Sequence, residues 1–169
     1  MKKVISNRRA FTPIELLVVV LIIGILAAIA LPQYKLAVAK TRYVQAMTLS
    51  DSFWQAAQRY HLENGTWPEN IDQLDIEMPG GGRYVDIDHA SIVFSWGTCV
   101  VQATSTINGY SYCSISGKGV YAYREFNSSK RYCRAHGEEG DFSHKLCKSV
   151  GGVGNGTVNQ YGYANYVIP

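Results

Sequence analysis

From Phe11 to Tyr34 the chain is apolar at nearly every position, and Glu15 is the one charge between Arg9 and Lys35. A helix apolar on all faces belongs in lipid or inside protein, and about 20 such residues span a bilayer. Past Lys35 the pattern becomes one-sided. Leu36, Tyr43, Val44, Met47, Trp54, Ala57 and His61 recur mainly three and four apart, while Lys40, Arg42, Gln45, Asp51, Gln55 and Arg59 take other directions. That period is helical. Asn64-Gly65 is a stop signal with Pro68 shortly beyond. One helix over residues 11–63 is predicted, about 80 Å long at 1.5 Å per residue. Residues 11–34 suit an apolar surrounding, and residues 35–63 suit a globular partner. Phe53, Trp54 and Tyr60 are read as core.

Residues 64–90 read as a connecting loop, punctuated by Trp67-Pro68 and Pro79-Gly80-Gly81-Gly82, with a short helical turn around Ile71, Leu74 and Ile76. From Ser91 onward the pattern is β. Ser91 to Trp96 is one strand. Cys99 to Ile107 and Tyr110 to Ser116 flank Asn108-Gly109, a strong two-residue hairpin signal. Val120 to Phe126 is a further strand, and Asn127 to Lys130 turns the chain toward Tyr132. Gly151 to Gly156 reads as flexible, and the Tyr-rich Gln160 to Ile168 as a late strand or a surface loop. An antiparallel meander over residues 91–169, packed on the amphipathic half of the long helix, makes an α+β domain.

Charge sets the orientation of the apolar segment. Lys2, Lys3, Arg8 and Arg9 precede it, which keeps the N-terminus cytoplasmic and the bulk of the chain outside. The whole chain has 16 Lys and Arg against 13 Asp and Glu. Without residues 1–10 it has 12 against 13, a net of −1. The basic balance thus belongs to the head of the chain and gives no support for nucleic-acid binding by the rest. Within the apolar run, a carboxylate near the bilayer centre costs roughly 2.5–3.5 kcal/mol on insertion scales. Glu15 therefore calls for a role that offsets the cost.

Arg8-Arg9-Ala10-Phe11-Thr12-Pro13-Ile14-Glu15 and the apolar run after it resemble the N-terminus of type IV pilins and pseudopilins. In that family a leader is removed just before a Phe, and the fifth residue of the mature chain is Glu. Counted from Phe11, that residue is Glu15. Phe11, Glu15, Gly24 and Pro32 fall where pilins place the first Phe, the buried Glu, a helix-loosening Gly and a helix-kinking Pro. The resemblance implies a leader over residues 1–10, cleavage between Ala10 and Phe11 by a prepilin peptidase, and methylation of the Phe11 amine. It further implies a precursor in the bacterial inner membrane, an assembly platform there, and identical or homologous subunits as filament partners. Two positions depart from the family pattern. Ala10 stands where Gly is usual before the cut, and Pro13 replaces a common Leu. Pro13 lies in the first helical turn, where its missing N–H would be unpaired anyway. Pro32 removes a backbone bond inside the helix and Gly24 is a poor helix former, so a kink or local melting is expected between them.

All four cysteines, Cys99, Cys113, Cys133 and Cys147, lie in the exported part, where disulfides are favoured. Three pairings are open. The resemblance favours Cys133–Cys147, which matches the disulfide-bounded C-terminal loop of many pilins and leaves Cys99–Cys113. A loop of that size is worth roughly 3 kcal/mol in the chain-entropy model. The Asn108-Gly109 register sets Cys113 opposite Thr104, so the second pair needs a bulge or another register. A competing reading takes Cys133, His136, His144 and Cys147 as tetrahedral zinc ligands. Asp86 and Asp88 are a weak calcium candidate. His61 and His89 stand isolated. Three Asn-x-Ser/Thr sequons begin at Asn64, Asn127 and Asn155. No catalytic cluster is recognisable, so the chain is expected to be no enzyme and to need no cofactor. The leading expectation is a pilus subunit serving adhesion, twitching motility or DNA uptake. A type II secretion pseudopilin and a membrane-anchored binding or enzymatic domain are the alternatives.

Overall fold

The computed structural model describes residues 11–85, 88–105, 107–154 and 158–169. Helix α1 runs Pro13–Asn64 and stays unbroken through Gly24 and Pro32. The chain forms two compact units that divide between Ala37 and Val38. In the first, the described residues are exposed almost throughout. The second contains the remainder of α1, a 3-10 turn at Ile71–Gln73, seven strands and a short helix α2 at Phe142–Ser149. The strands are β1 Arg83–Tyr84, β2 Ser91–Phe94, β3 Gly97–Ala103, β4 Gly109–Ile115, β5 Val120–Glu125, β6 Arg131–His136 and β7 Tyr163–Ile168. They form one antiparallel sheet in sequential order, so the fold is the α+β meander expected. Gln160 to Ile168 therefore resolves into a strand, preceded by a turn.

Alternation along each strand turns one sheet face toward α1, where Ile92, Val101, Ile115, Val120 and Tyr166 are buried. The helix stripe that meets it differs from the expected one. Ala39, Tyr43, Ala46, Leu49, Ser50, Phe53 and Ala57 are buried, whereas Val44 is 51% exposed and Trp54 lies at the margin. Alanine and serine carry little weight in a hydrophobic pattern, yet their small side chains let a helix approach a sheet closely. Polar bonds then pin the register of helix on sheet. Ser50 and Ser111 share a buried hydroxyl contact at 3.5 Å. Trp54 Nε1 donates to the Glu125 carbonyl at 3.1 Å, and Gln58 Nε2 to that of Phe126. Asp51 accepts from Arg124 and forms an ion pair with Arg131.

The hairpin between β3 and β4 corrects the sequence reading. Ala103 pairs with Gly109 and Cys99 with Cys113, so the turn is the five-residue loop 104–108 and not Asn108-Gly109. Thr104 and Ser105 both donate backbone N–H groups to the Asn108 carbonyl, at 2.9 and 3.0 Å, which closes that loop. Gly109 is required for a different reason. A Cβ there would sit 2.5 Å from the Phe126 ring. Short-range turn chemistry lost to packing of a residue 17 positions on.

Two further elements were not expected. β1 lies inside the stretch read as a connecting loop and pairs Arg83 with Val93 of β2. Helix α2 begins inside the Cys133–Cys147 loop and carries Cys147. It ends at Val150, where Gly151 at φ 93° and Gly152 donate back to Lys148 and Cys147. This is the Schellman arrangement. Val153 then bridges to Val167. Gly151 to Gly154 is thus an ordered helix cap and edge strip. The rest of the tract read as flexible, Asn155 and Gly156, lies outside the described residues.

Candidate functional site

The start of α1 is built by three residues. Thr12 is the N-cap, Pro13 takes the first helical position, and Glu15 the third. The Thr12 backbone N–H donates to Glu15 Oε2 at 2.7 Å and the Thr12 hydroxyl to the same oxygen at 2.8 Å. The Glu15 N–H points back at Thr12 Oγ1, at 3.4 Å. This is a capping box, in which side chains of two residues satisfy each other's orphan backbone groups. Thr-x-x-Glu before an apolar run is its sequence signature, and the reading from sequence overlooked it. The box holds the carboxylate against its own first turn.

Beyond Glu15, α1 is long and apolar enough to cross a bilayer, and that window is not buried by any other described part of the chain. Phe11 is 81% exposed, and Leu17, Leu21 and Ile29 are each 63–65% exposed. Gly24 has open space where a side chain would stand. Phe11, Glu15, Gly24 and Pro32 therefore lie along one apolar stem, while Ala10 and the rest of the leader lie outside the described residues.

The four cysteines form two disulfides, Cys99–Cys113 and Cys133–Cys147. Both cross buried ground, with each cysteine fully inaccessible. Cys99 and Cys113 are directly opposed, their Cα atoms 4.0 Å apart, so no bulge is needed once the 104–108 loop sets the register. Cys133–Cys147 ties α2 to β6. The zinc reading fails here, because both sulfurs are spent on each other. His144 is buried, with Nδ1 2.7 Å from the Tyr166 hydroxyl and Nε2 3.2 Å from the Gly137 carbonyl. His136 is exposed and meets the edge of Tyr163. The sequence of α2 did carry usable signals: Asp141 at the N-cap, Gly151 past the end, and Leu146 and Cys147 on the buried side.

The remaining sequence candidates separate. His89 is not isolated. Its Nδ1 bonds Asp72 and its ring stacks on Tyr84 at 4.3 Å. That bond, helped by Tyr84, holds the Asp72 carboxyl below its ordinary range. His61 stacks on Trp67 at 4.0 Å. Asp86 lies outside the described residues, as does the sequon Asn155-Gly156-Thr157, and the described residues hold no cluster of three or more His, Cys, Asp or Glu placed to bind a metal ion. The sequence reading also overlooked Arg124, 5% exposed, which Asp51 and the face of Trp54 receive together.

Comparison with known proteins adds the lineage. Residues 5–31 match the family described as Prokaryotic N-terminal methylation motif. A Type IV major pilin protein PilE of Neisseria gonorrhoeae is 40% identical over 130 residues, which cover 75% of this chain and 74% of that protein. A second, PilE1 of the same organism, is 35% identical over 131 residues, 75% of each chain. A Fimbrial protein of Neisseria meningitidis serogroup B is 33% identical over 131 residues, 75% of this chain and 72% of that one. With an exposed apolar stem opened by Glu15, a disulfide-clipped sheet on its second half, and likeness extending over three quarters of each chain, this protein belongs to the type IV pilin family.

Proposed function

We propose that the chain is a structural subunit of a type IV pilus, made as an inner-membrane precursor with a cytoplasmic N-terminus. The leader is cut between Ala10 and Phe11, the Phe11 amine is methylated, and the stem enters a helical filament outside the cell. Single-pass insertion precedes assembly, and an inner-membrane platform delivers the subunit. The observation that carries this reading is Glu15, the one carboxylate of an otherwise apolar and exposed stem. Alone in a low-dielectric core it is strongly penalised, whereas beside a cation it is tolerated. Both bonds from Thr12 fall on Oε2. We assign Oε1 to the Phe11 amine of a neighbouring subunit. The pair then works as a register device more than as a source of net stability.

Gly24 and Pro32 take the second role. The stem is helical through both in the single chain, but Pro32 has no N–H to donate and Gly24 favours the helix weakly. We assign the stretch between them to loosening on assembly, where neighbouring stems satisfy what the helix releases. The pilus reading is favoured over a secretion pseudopilin by the relatives, which are named as pilins and fimbrial proteins. Adhesion, twitching motility and DNA uptake are the filament activities proposed, and no catalytic step is assigned to the chain. The deciding experiment is Glu15→Leu in the native host. N-terminal sequencing should still find Phe11 first, while electron microscopy should find few filaments. Filaments at normal yield from that variant would refute the pairing role.

A further inference from the structure

The sheet face turned away from α1 carries six tyrosines. The register places Tyr110 and Tyr112 of β4, Tyr121 and Tyr123 of β5, Tyr132 of β6 and Tyr163 of β7 on that one face, because directly opposed residues share a side. Five of these positions enclose a hollow of about 320 Å³ with Arg134 at its wall. The guanidinium of Arg134 lies 3.5 Å from the Tyr123 ring centre and 5.7 Å from that of Tyr163. Its Nε donates to Asn165 Oδ1 at 2.9 Å. No carboxylate among the described residues is within ion-pair reach of it. Glu125 stands at the far end of the face, opposite Tyr110, and is not part of the hollow.

We propose that this hollow binds a carboxylated saccharide, with a uronate-type carboxylate on Arg134 and sugar rings packed on the tyrosines. Three observations select that chemistry. Aromatic rings with hydroxyl rims offer a flat apolar surface and hydrogen-bond partners together, as the C–H faces and hydroxyl edges of a pyranose require. The phenols keep their protons: burial raises Tyr112 and Tyr123, and burial with the Tyr163 hydrogen bond pushes Tyr121 up to about 12. The planar fork of Arg134 is held in place by Asn165 at Nε and by the Tyr123 side chain, so its charge is pre-positioned to receive a carboxylate.

Charge argues against a nucleic-acid strand. A groove that tracks single-stranded DNA needs a cation for each of several phosphates. Among the described residues of β4–β7, Arg134 is the one Lys or Arg on the outward side, since Arg124 and Arg131 turn inward to Asp51. One charge beside many hydroxyls matches a sugar chain with spaced carboxylates.

This inference names a ligand for the adhesive part of the pilus reading, but binding is read on the unassembled subunit. Failure to polymerise and failure to bind sugar are therefore scored separately. The test is isothermal calorimetry with the full chain in detergent micelles. The probes are a galacturonic acid hexamer, neutral maltohexaose and a ten-residue oligothymidylate. The hexuronate should bind at least tenfold more tightly than either of the others. Arg134→Gln should weaken it at least tenfold, Arg134→Lys by less, and Tyr112→Ala severalfold. Unchanged far-ultraviolet circular dichroism and urea midpoints of the three variants separate lost binding from lost fold. Absence of hexuronate binding, equal affinity for maltohexaose, tighter binding of the thymidylate, or indifference to Arg134→Gln would each overturn the proposal, as would a face whose variants change only self-association.

Discussion

Asp51→Ala should be among the most damaging single substitutions on the helix, although Asp51 is a charged residue on a polar-looking position. Its carboxylate serves two arginines unequally. Arg131 reaches Oδ2 at 3.2 Å with its side chain 45% exposed; an exposed pair of this kind is worth about 0–1 kcal/mol. Arg124 is the costly partner, its side chain 7% exposed and bonded to Oδ1. Without Asp51 it retains a 3.3 Å bond to the Ser129 carbonyl and its position 4.3 Å over the Trp54 ring, while its Nε already lacks a partner. Removing one partner of a buried pair costs about 3–5 kcal/mol. The Trp54 face returns about 1 kcal/mol or more of cation–π attraction, so the expected loss lies at the low end, about 3 kcal/mol. Urea titration of the oxidised chain in detergent micelles measures it. The three tryptophans, Trp54, Trp67 and Trp96, all report from the second unit. Adding Arg124→Met should recover most of the loss, since an apolar replacement of the whole pair is close to neutral. A cost below about 1 kcal/mol for Asp51→Ala, or a double variant as unstable as the two single losses summed, would refute the account of Arg124 as a charge held in place by Asp51.

Stability of the sheet domain should fall as pH rises between about 10 and 12. Tyr121 titrates near 12 when folded and near 10 when unfolded. The unfolded chain binds fewer protons in that window, so stability is intact below 10 and falls as pH rises; a urea midpoint that stays constant across that window would contradict this. The paired change Cys133→Ser with Cys147→Ser should lower stability by about 3 kcal/mol, the loop term for a bridge of this span. Hydrogen exchange should show the loss confined to α2 and its contacts with β6, and protection of α2 equal to that of the parent would count against the clip.

The stem was legible because its physics is one-dimensional. A run of apolar residues long enough for a bilayer, a single acid and a basic head are all features of composition along the chain, and no tertiary contact is needed to read them. The strands β2 to β5 were legible for a similar reason, as alternation with turn residues between them. The failures occurred where distant residues decide. Asn108-Gly109 is the best local turn in the chain, yet Phe126 packs over Gly109 and β3 meets β4 one loop earlier, which sets Cys99 against Cys113. The stripe on α1 was partly misplaced because Ala39, Ala46 and Ala56 are chosen for the distance they allow and not for their hydrophobicity.

Sequence alone thus determined the stem, since periodicity and charge fix its length, its apolar surface and its lone carboxylate. The tertiary structure decided which cysteines meet, which arginine is entombed beside Asp51, and that six tyrosines from four strands lie on one open face around Arg134. Strand register carries that last fact. A shift of one residue would move each of those rings into the core, and nothing in the local pattern of β4, β5, β6 or β7 specifies how they align with one another.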